Sequence, residues 1–405
     1  MTFAGLAFSY LRRRWGQALL AVMVGALGMA AVVTVLVGFD ALPRAARQAW
    51  GGVDLVVGPK GSALDLVFCC ALHVGEPRGL VSVEAATRAV HTPMIRAAAP
   101  IALGDNVDGW RIVGTIPLLL DIYHARFASG GIWSDKLQAV AGATAARELR
   151  IQLGDSFIGA HGLADSDEKH DKFPYKLVGI LEPTGSVLDR LVLTDIETVR
   201  YVHLEQAKVE KAERGSSEED ETAHGPDAAS AVVASFRVPT GALLVQRQID
   251  AQDGLTAANP SFEIARLLSY ARPLTVAVTG FGLLLMGIAA AAATLGLLAI
   301  MSARTRDLAL LRALGASRAG LATVALCEAA MIASAAFALG VLLAAGLLAL
   351  ARDVLLVRTG LLLQPELNAG QISLLLGGTV LATLLAAAIP ALRAMRTEIE
   401  ELLQS

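Results

Sequence analysis

Four stretches of this chain are too long and too apolar to be ordinary core helices. They run from about Gln17 to Phe39, Leu274 to Ala303, Ala319 to Ala351 and Gln371 to Leu392. About 20 consecutive apolar residues span the hydrocarbon core of a bilayer as a helix. Inside lipid, backbone polar groups must be satisfied within the helix itself. Four membrane spans are therefore expected. The composition agrees. Of 405 residues, 55% are hydrophobic and 18% charged, with a mean hydropathy of +0.56. That is too apolar for a soluble protein and too polar for a chain made only of spans.

Charge sets the orientation. Arg12, Arg13 and Arg14 precede the first span, and short basic segments stay on the cytoplasmic side. A signal peptide also starts this way, but the apolar run here exceeds the usual h-region of about 7–15 residues. The second and third spans bracket a segment with Arg304, Arg306, Arg312 and Arg318 against a single acid, Asp307. The carboxyl terminus follows Arg393 and Arg396, so every basic cluster falls on one side. The predicted fold is an α-helical membrane bundle of four transmembrane helices, with a large α/β extracytoplasmic domain inserted between the first and second. Its segments are 1–16 cytoplasmic, 17–39 span, 40–272 outside domain, 273–303 span, 304–318 cytoplasmic helix and 319–351 span. A short outside loop (352–370), a span (371–392) and a cytoplasmic tail (393–405) complete the chain.

The spans are rich in small residues: Gly280, Gly282, Gly287 and Gly296 in the second, Gly340 and Gly346 in the third. Small residues let helix backbones approach closely; they suit a bundle or a dimer seam rather than a hydrophilic pore. Glu328 is the one acid inside a span. An intramembrane carboxylate is a functional candidate, but this one lies close enough to the cytoplasmic boundary for a structural or interfacial role.

Within the outside domain, Val53–Val57, Arg111–Thr115, Tyr175–Leu181 and Leu191–Leu193 read as strands. Turns are expected at Gly58–Gly61 and Glu182–Gly185. Ala139–Leu149 and Ile196–Leu204 have helical spacing, and Phe262–Ser269 is expected as a helical stalk. Ala231–Val238 and Ala242–Val245 are expected as ordered late segments, the latter a strand. Residues 205–230, centred on Glu218-Glu-Asp-Glu221, read as a mobile acidic insertion, because such a composition cannot bury a core.

No catalytic constellation is present. There is no Gly-x-Ser-x-Gly and no His-Glu-x-x-His. There is also no Gly-x-x-x-x-Gly-Lys-Ser/Thr, so ATP hydrolysis by that phosphate-cradling loop is excluded for this chain. Net charge −3 and the absence of a basic-aromatic stretch argue against nucleic acid. Cys69, Cys70 and Cys327 make no disulfide framework. A soft-metal grouping of Cys70 and His73 with His161 or His170 is compatible with the spacing, but sequence shows no convergence; the plainer reading is small buried thiols and scattered histidines.

Several motifs then resemble one family. Met301-Ser-Ala-Arg-Thr-Arg-Asp-Leu-Ala-Leu-Leu-Arg-Ala-Leu-Gly-Ala-Ser-Arg318 followed by Glu328 looks like the signature of FtsX/MacB-like permeases of ABC transporters, the mechanotransmission or type VII class. Gly142–Asp155, Tyr175–Gly185 and Pro390–Arg396 resemble other parts of that family. The likeness departs at the acidic insertion and around Phe68–Arg78. It implies a non-catalytic subunit in a bacterial inner membrane, with both termini cytoplasmic, paired with a second permease copy or paralogue. It also implies a separate ATP-binding subunit that carries ATP and magnesium, with no cofactor on this chain. Arg304, Arg306, Asp307, Leu308, Leu311, Arg312, Leu314, Gly315, Ser317 and Arg318 would form the coupling helix docking on that subunit. The leucines at helical spacing would face the membrane interface, leaving the arginines for a partner. Gly315 would end the helix and Ser317 start the next. Membrane lipid and a periplasmic adaptor, lipoprotein or hydrolase are further expected partners. Export or extraction of a compound, peptide or lipoprotein is the leading reading. The alternatives are a regulatory complex that activates a cell-wall enzyme and a membrane-anchored ligand or metal sensor.

Overall fold

The computed structural model describes residues 15–161, 173–214, 227–238, 241–303, 318–359, 361–366 and 370–379, with a few isolated positions beyond these ranges. In chain order, helix α1 (Trp15–Ala49) is followed by β1 (Leu55–Pro59), α2 (Ala63–Cys70), β2 (Val81–Ser82) and α3 (Val83–Ala89). Next come β3 (Ile95–Val107), β4 (Trp110–Thr115), α4 (Leu118–Ile122), β5 (Phe127–Gly130), β6 (Gln138–Ala141) and α5 (Ala143–Leu149). Then follow β7 (Ser156–Phe157), β8 (Ala160–His161), β9 (Tyr175–Leu181), β10 (Val192–Asp195) and α6 (Ile196–Arg214). The remainder is β11 (Ala228–Ala229), β12 (Ala231–Phe236), α7 (Ala242–Asp250), β13 (Leu255–Ala258), α8 (Pro260–Ala303) and α9 (Arg318–Thr359). The chain divides into two compact units. One is Met1–Ala41, Ala271–Asp353 and Gln364–Ser405; the other is Leu42–Tyr270 and Val354–Leu363.

The first unit is built on helices. Among the described residues, three are long and apolar enough to cross a membrane: Trp15–Ala49, Pro260–Ala292 and Leu326–Leu356. The expected fourth span is described only at its start, where residues 370–379 are mainly helical. Met29, Val33 and Val37 of α1 are buried together with Ala344 and Leu348 of α9. Glycines set the spacing. A Cβ on Gly28 would lie 2.6 Å from the carbonyl oxygen of Gly282, and one on Gly340 would lie 2.6 Å from the Cβ of Met29. Backbone therefore meets backbone or Cβ directly, as in small-residue helix packing. Gly280, Gly287 and Gly346, equally conspicuous in the sequence, meet nothing within 4 Å.

The second unit holds an eleven-stranded sheet among the described residues, with spatial order β13-β1-β12-β3-β4-β10-β6-β9-β5; β7 joins β9 and β8 joins β3. The pairs β4–β10 and β6–β9 are parallel, and the other pairs are antiparallel. Side chains alternate between two buried faces, as period two requires. Val56, Val113, Val140, Leu193 and Val233 enter one core with Val67, Ile264 and Leu361. Leu55, Val57, Val232 and Ala234 enter another beneath α3 and α7. Ile112, Ala139, Ala141 and Val192 enter a third beneath α5 and α6. Burying each such side chain contributes roughly 1.5–3 kcal/mol.

Local chemistry fixes the helix starts and turns. Ser62 and Ser82 cap α2 and α3, their hydroxyls accepting from the amides of Asp65 and Ala85 at 3.2 and 3.1 Å. The expected turn at Glu182–Gly185 is held by Asp189, whose carboxylate accepts from the Thr184 and Gly185 amides at 2.7 and 2.8 Å.

Several expectations change. Ala242–Val245 is the first turn of α7, not a strand; Val245 and Ile249 are buried one helical turn apart while Leu243 and Leu244 are exposed. The stretch Ala139–Leu149 is not one helix. Its first residues complete β6, and Gly142 then caps α5. Gly142 donates its amide to Leu191 O at 2.9 Å, and a Cβ there would stand 2.0 Å from Leu188 O. Gly142→Ala must push two backbones apart, so a loss of about 3 kcal/mol is expected. The midpoint of thermal unfolding of the detergent-solubilised chain should fall clearly. Gly61→Ala, whose Cβ would lie 4.0 Å from its nearest neighbour, should leave it unchanged.

The acidic segment is also shorter than expected. Helix α6 continues to Arg214 and β11 begins at Ala228; residues 215–226 lie outside the described residues. At the expected outside loop 352–370, α9 is helical to Thr359, and Leu361 and Leu363 are buried. Arg190 donates to Leu356 O at 2.9 Å while its guanidinium stacks on Trp110 at 4.9 Å. This satisfies a carbonyl in the last turn of α9, where helices leave acceptors open.

Candidate functional site

The segment singled out by charge and spacing, residues 304–317, lies outside the described residues. Its surroundings are placed. Helix α8 ends at Ala303, and α9 begins at Arg318. The helices on either side are thus two of the three apolar enough to cross a membrane. Glu328 is buried, 6% exposed, next to the equally buried Ala329.

In the α/β unit the candidate metal residues are spread out. Cys69 and Cys70 are free, buried thiols at the end of α2. Arg111 is buried beside them and donates to Gly75 O. The hydrogen bond with Cys70 and the positive charge of Arg111 hold the Cys69 thiol below its ordinary value; that hydrogen bond and burial push Cys70 well above it. His73 has a buried Nδ1 without a hydrogen-bond partner among the described residues. A buried guanidinium repels a second cation, so this corner is poorly suited to a metal ion. His161 is on β8, whose backbone pairs with β3 at Asp105, and His170 lies outside the described residues. No group of three potential metal-ligating side chains converges among the described residues.

Burial, then the charge of Arg111, lowers the His73 pKa to about 3 from 6.5. Between those values the unfolded chain binds more protons than the folded one. Stability is therefore fully present above about pH 6.5 and declines as pH falls toward 3. His73 has φ 55°, a left-handed conformation that Asn tolerates. His73→Asn is expected to remove about 2 kcal/mol of the stability lost between pH 7.5 and 4.5. Unfolding midpoints of both proteins at the two pH values measure this, and parallel shifts would contradict it.

A polar pair that the sequence did not single out lies across the same sheet. Asp105 on β3 and His203 on α6 are joined Oδ1 to Nε2 at 3.1 Å, with side chains 0% and 11% exposed. Nothing in their spacing, 98 positions apart, could have joined them without the topology.

Comparison with known proteins finds one family likeness, confined to the C-terminal third. Residues 279–399 match the FtsX-like permease C-terminal family model, a range that contains most of α8, the basic segment and all of α9. That stretch of the chain is therefore similar to the C-terminal region of FtsX-like permeases, and among the described residues the chain has three helices long and apolar enough to cross a membrane. Among solved structures, it is similar to the periplasmic region of MacB from Actinobacillus actinomycetemcomitans (10% identity, 55% of this chain, 95% of that chain, TM-score 0.35). It is also similar to the extracellular domain of the noncanonic ABC-type transporter YknZ from Gram-positive bacteria (11% identity, 51% and 99%, TM-score 0.29). At these scores neither likeness bears on the fold or function of this chain. No curated protein matches it.

Proposed function

We propose that this chain is the permease subunit of a bacterial inner-membrane ABC transporter, and that a separate ATP-binding subunit drives it through residues 304–318. The supporting observation is the family match over 279–399, which encloses a basic segment between two apolar helices. The chain has no phosphate-binding loop of the Walker type, so ATP-dependent work must enter from a partner. A short segment joining two spans is the place to receive it, with leucines for the membrane interface and arginines for acidic and carbonyl acceptors. Both termini would be cytoplasmic, two permease copies would pair, and the α/β unit would lie outside. Closure of the paired ATP-binding subunits would then shift the outside units to expel or extract a compound, peptide or lipoprotein.

Co-expression with a candidate ATP-binding subunit from the same genome tests this reading. A stable detergent-solubilised complex with stimulated ATP hydrolysis is the expected result. A chain that purifies without any ATP-binding protein, and leaves its hydrolysis unchanged, would remove the proposal.

A further inference from the structure

A cavity of about 340 Å³ opens in the α/β unit between the start of α2 and the first turns of α8, a volume within the range of small-ligand sites. Leu64, Leu267 and Tyr270 give it apolar walls, and Ser62, Glu263 and Arg266 are its polar groups. Glu263 is only 5% exposed. Its carboxylate senses the charge of Arg266 one helical turn further on but makes no hydrogen bond or ion pair among the described residues. A carboxylate so enclosed is costly unless a cation meets it. Arg266 is exposed, and its Nε donates to the Tyr270 hydroxyl at 3.2 Å, which leaves the two terminal nitrogens for an acceptor from outside. The start of α2 adds donors. The Ser62 hydroxyl accepts from the Asp65 amide and keeps its own proton to donate, and the amides that open a helix have no partner within it.

The cavity thus sets an enclosed negative charge beside an exposed positive set one helical turn away. A simple cation or a simple anion would be drawn by one and repelled by the other. The complementary ligand is a zwitterion with its ammonium and its anion a few bonds apart. The helix indicates which one. Glu263, Leu267, Tyr270, Leu274 and Phe281 recur at helical spacing and share one face of α8. Beyond Glu263 that face is apolar and open, with Leu267, Tyr270, Leu274 and Phe281 exposed by 37, 68, 67 and 60%. It continues along the stretch able to cross a membrane. At 1.5 Å per residue Glu263 stands about 16 Å from Leu274 along the axis, further than the headgroup layer of roughly 5–8 Å reaches. A lipid seated here would be lifted partly from its leaflet, with its tails against the open face.

We propose that this cavity binds the phosphoethanolamine headgroup of a membrane phospholipid, with Glu263 taking the ammonium and Arg266, Ser62 and the first amides of α2 taking the phosphate. A primary ammonium donates hydrogen bonds to a carboxylate; a choline headgroup has no N–H to donate, and a glycerol headgroup has no cation at all. The inference rests on α8 crossing a membrane, as in the permease reading, but it involves no ATP-binding partner, so either can fail without the other.

The test uses the full chain in a neutral detergent, freed of lipid and titrated with dioleoyl phosphatidylethanolamine, phosphatidylcholine or phosphatidylglycerol, with bound lipid counted by native mass spectrometry. Phosphatidylethanolamine should bind at least about tenfold more tightly than the other two. Glu263→Gln should erase that preference, whereas Arg266→Gln should weaken the ethanolamine and choline lipids together. Glu84→Gln, in an exposed ion pair on α3, should bind as the unaltered chain does. Near-ultraviolet circular dichroism shows that each variant is folded; should Glu263→Gln fail to fold, Glu263→Asp is expected to keep the preference with weaker binding. Equal binding of the three lipids, a preference undiminished by Glu263→Gln or lost in Glu263→Asp, or soluble glycerophosphoethanolamine binding as tightly as the lipid would each overturn the proposal.

Discussion

Exchanging Leu311 for Asp together with Arg312 for Glu is expected to abolish stimulation of the partner's ATP hydrolysis while leaving the chain folded. The two changes act on different interactions. Leu308, Leu311 and Leu314 recur at the spacing of one helical face, and a carboxylate in the middle of that face would be drawn from the membrane interface into water. Reversing Arg312 turns attraction to acidic or carbonyl acceptors into repulsion. Central interface residues of this type contribute about 2–4 kcal/mol each, so the affinity should fall by two orders of magnitude or more. Arg78→Glu is a suitable control, because it breaks an exposed ion pair with Asp65 in the α/β unit and should leave association untouched. Binding of the ATP-binding subunit to immobilised chain measures the loss directly. Unaltered affinity in the double variant would exclude residues 304–318 as the docking element.

Gly340→Leu is expected to produce the largest loss of stability in the helical unit. The first atom added at this position would meet Met29 Cβ at 2.6 Å and the Ala26 carbonyl oxygen at 2.8 Å. The helices bearing these residues cannot keep their spacing around three further carbons. Overpacking of this kind costs at least about 3 kcal/mol where backbone must move. Gly28→Leu, facing the Gly282 carbonyl, should behave similarly. Gly346→Leu meets open space and should change stability by no more than about 0.5 kcal/mol. Thermal unfolding in detergent separates the three, and equal behaviour of Gly340→Leu and Gly346→Leu would contradict the packing described.

The contrast between Gly340 and Gly346 shows what a sequence holds and what it withholds. Both glycines signal a helix surface that can approach another, but which one does so depends on helix rotation. The same holds for the strands. Tyr175–Leu181 was legible to its last residue because alternation and the following turn agree. Ala242–Val245 was not, since four apolar residues fit either period and the deciding residue, Ile249, lies beyond the run. Charge misled at two places. Glu205–Arg214 continues α6 despite its composition, and Arg352 and Asp353 sit inside α9 rather than at its end. Among candidate site residues, the basic segment was visible because it depends on local spacing alone. Asp105 and His203 were hidden because a strand and a distant helix had to be packed before they could meet.

On the proposed reading, ATP hydrolysed by a partner moves the α/β unit of this chain. A spin label at Asp108→Cys, in the tight turn between β3 and β4, reports on that unit in a reconstituted complex with two permease copies. The expected result is a distance between the two labels that changes when ATP is bound and returns after hydrolysis. A hydrolysis-deficient ATP-binding subunit should hold it in the ATP-bound state. The same distance distribution with and without ATP, in a complex that hydrolyses ATP normally, would contradict the account.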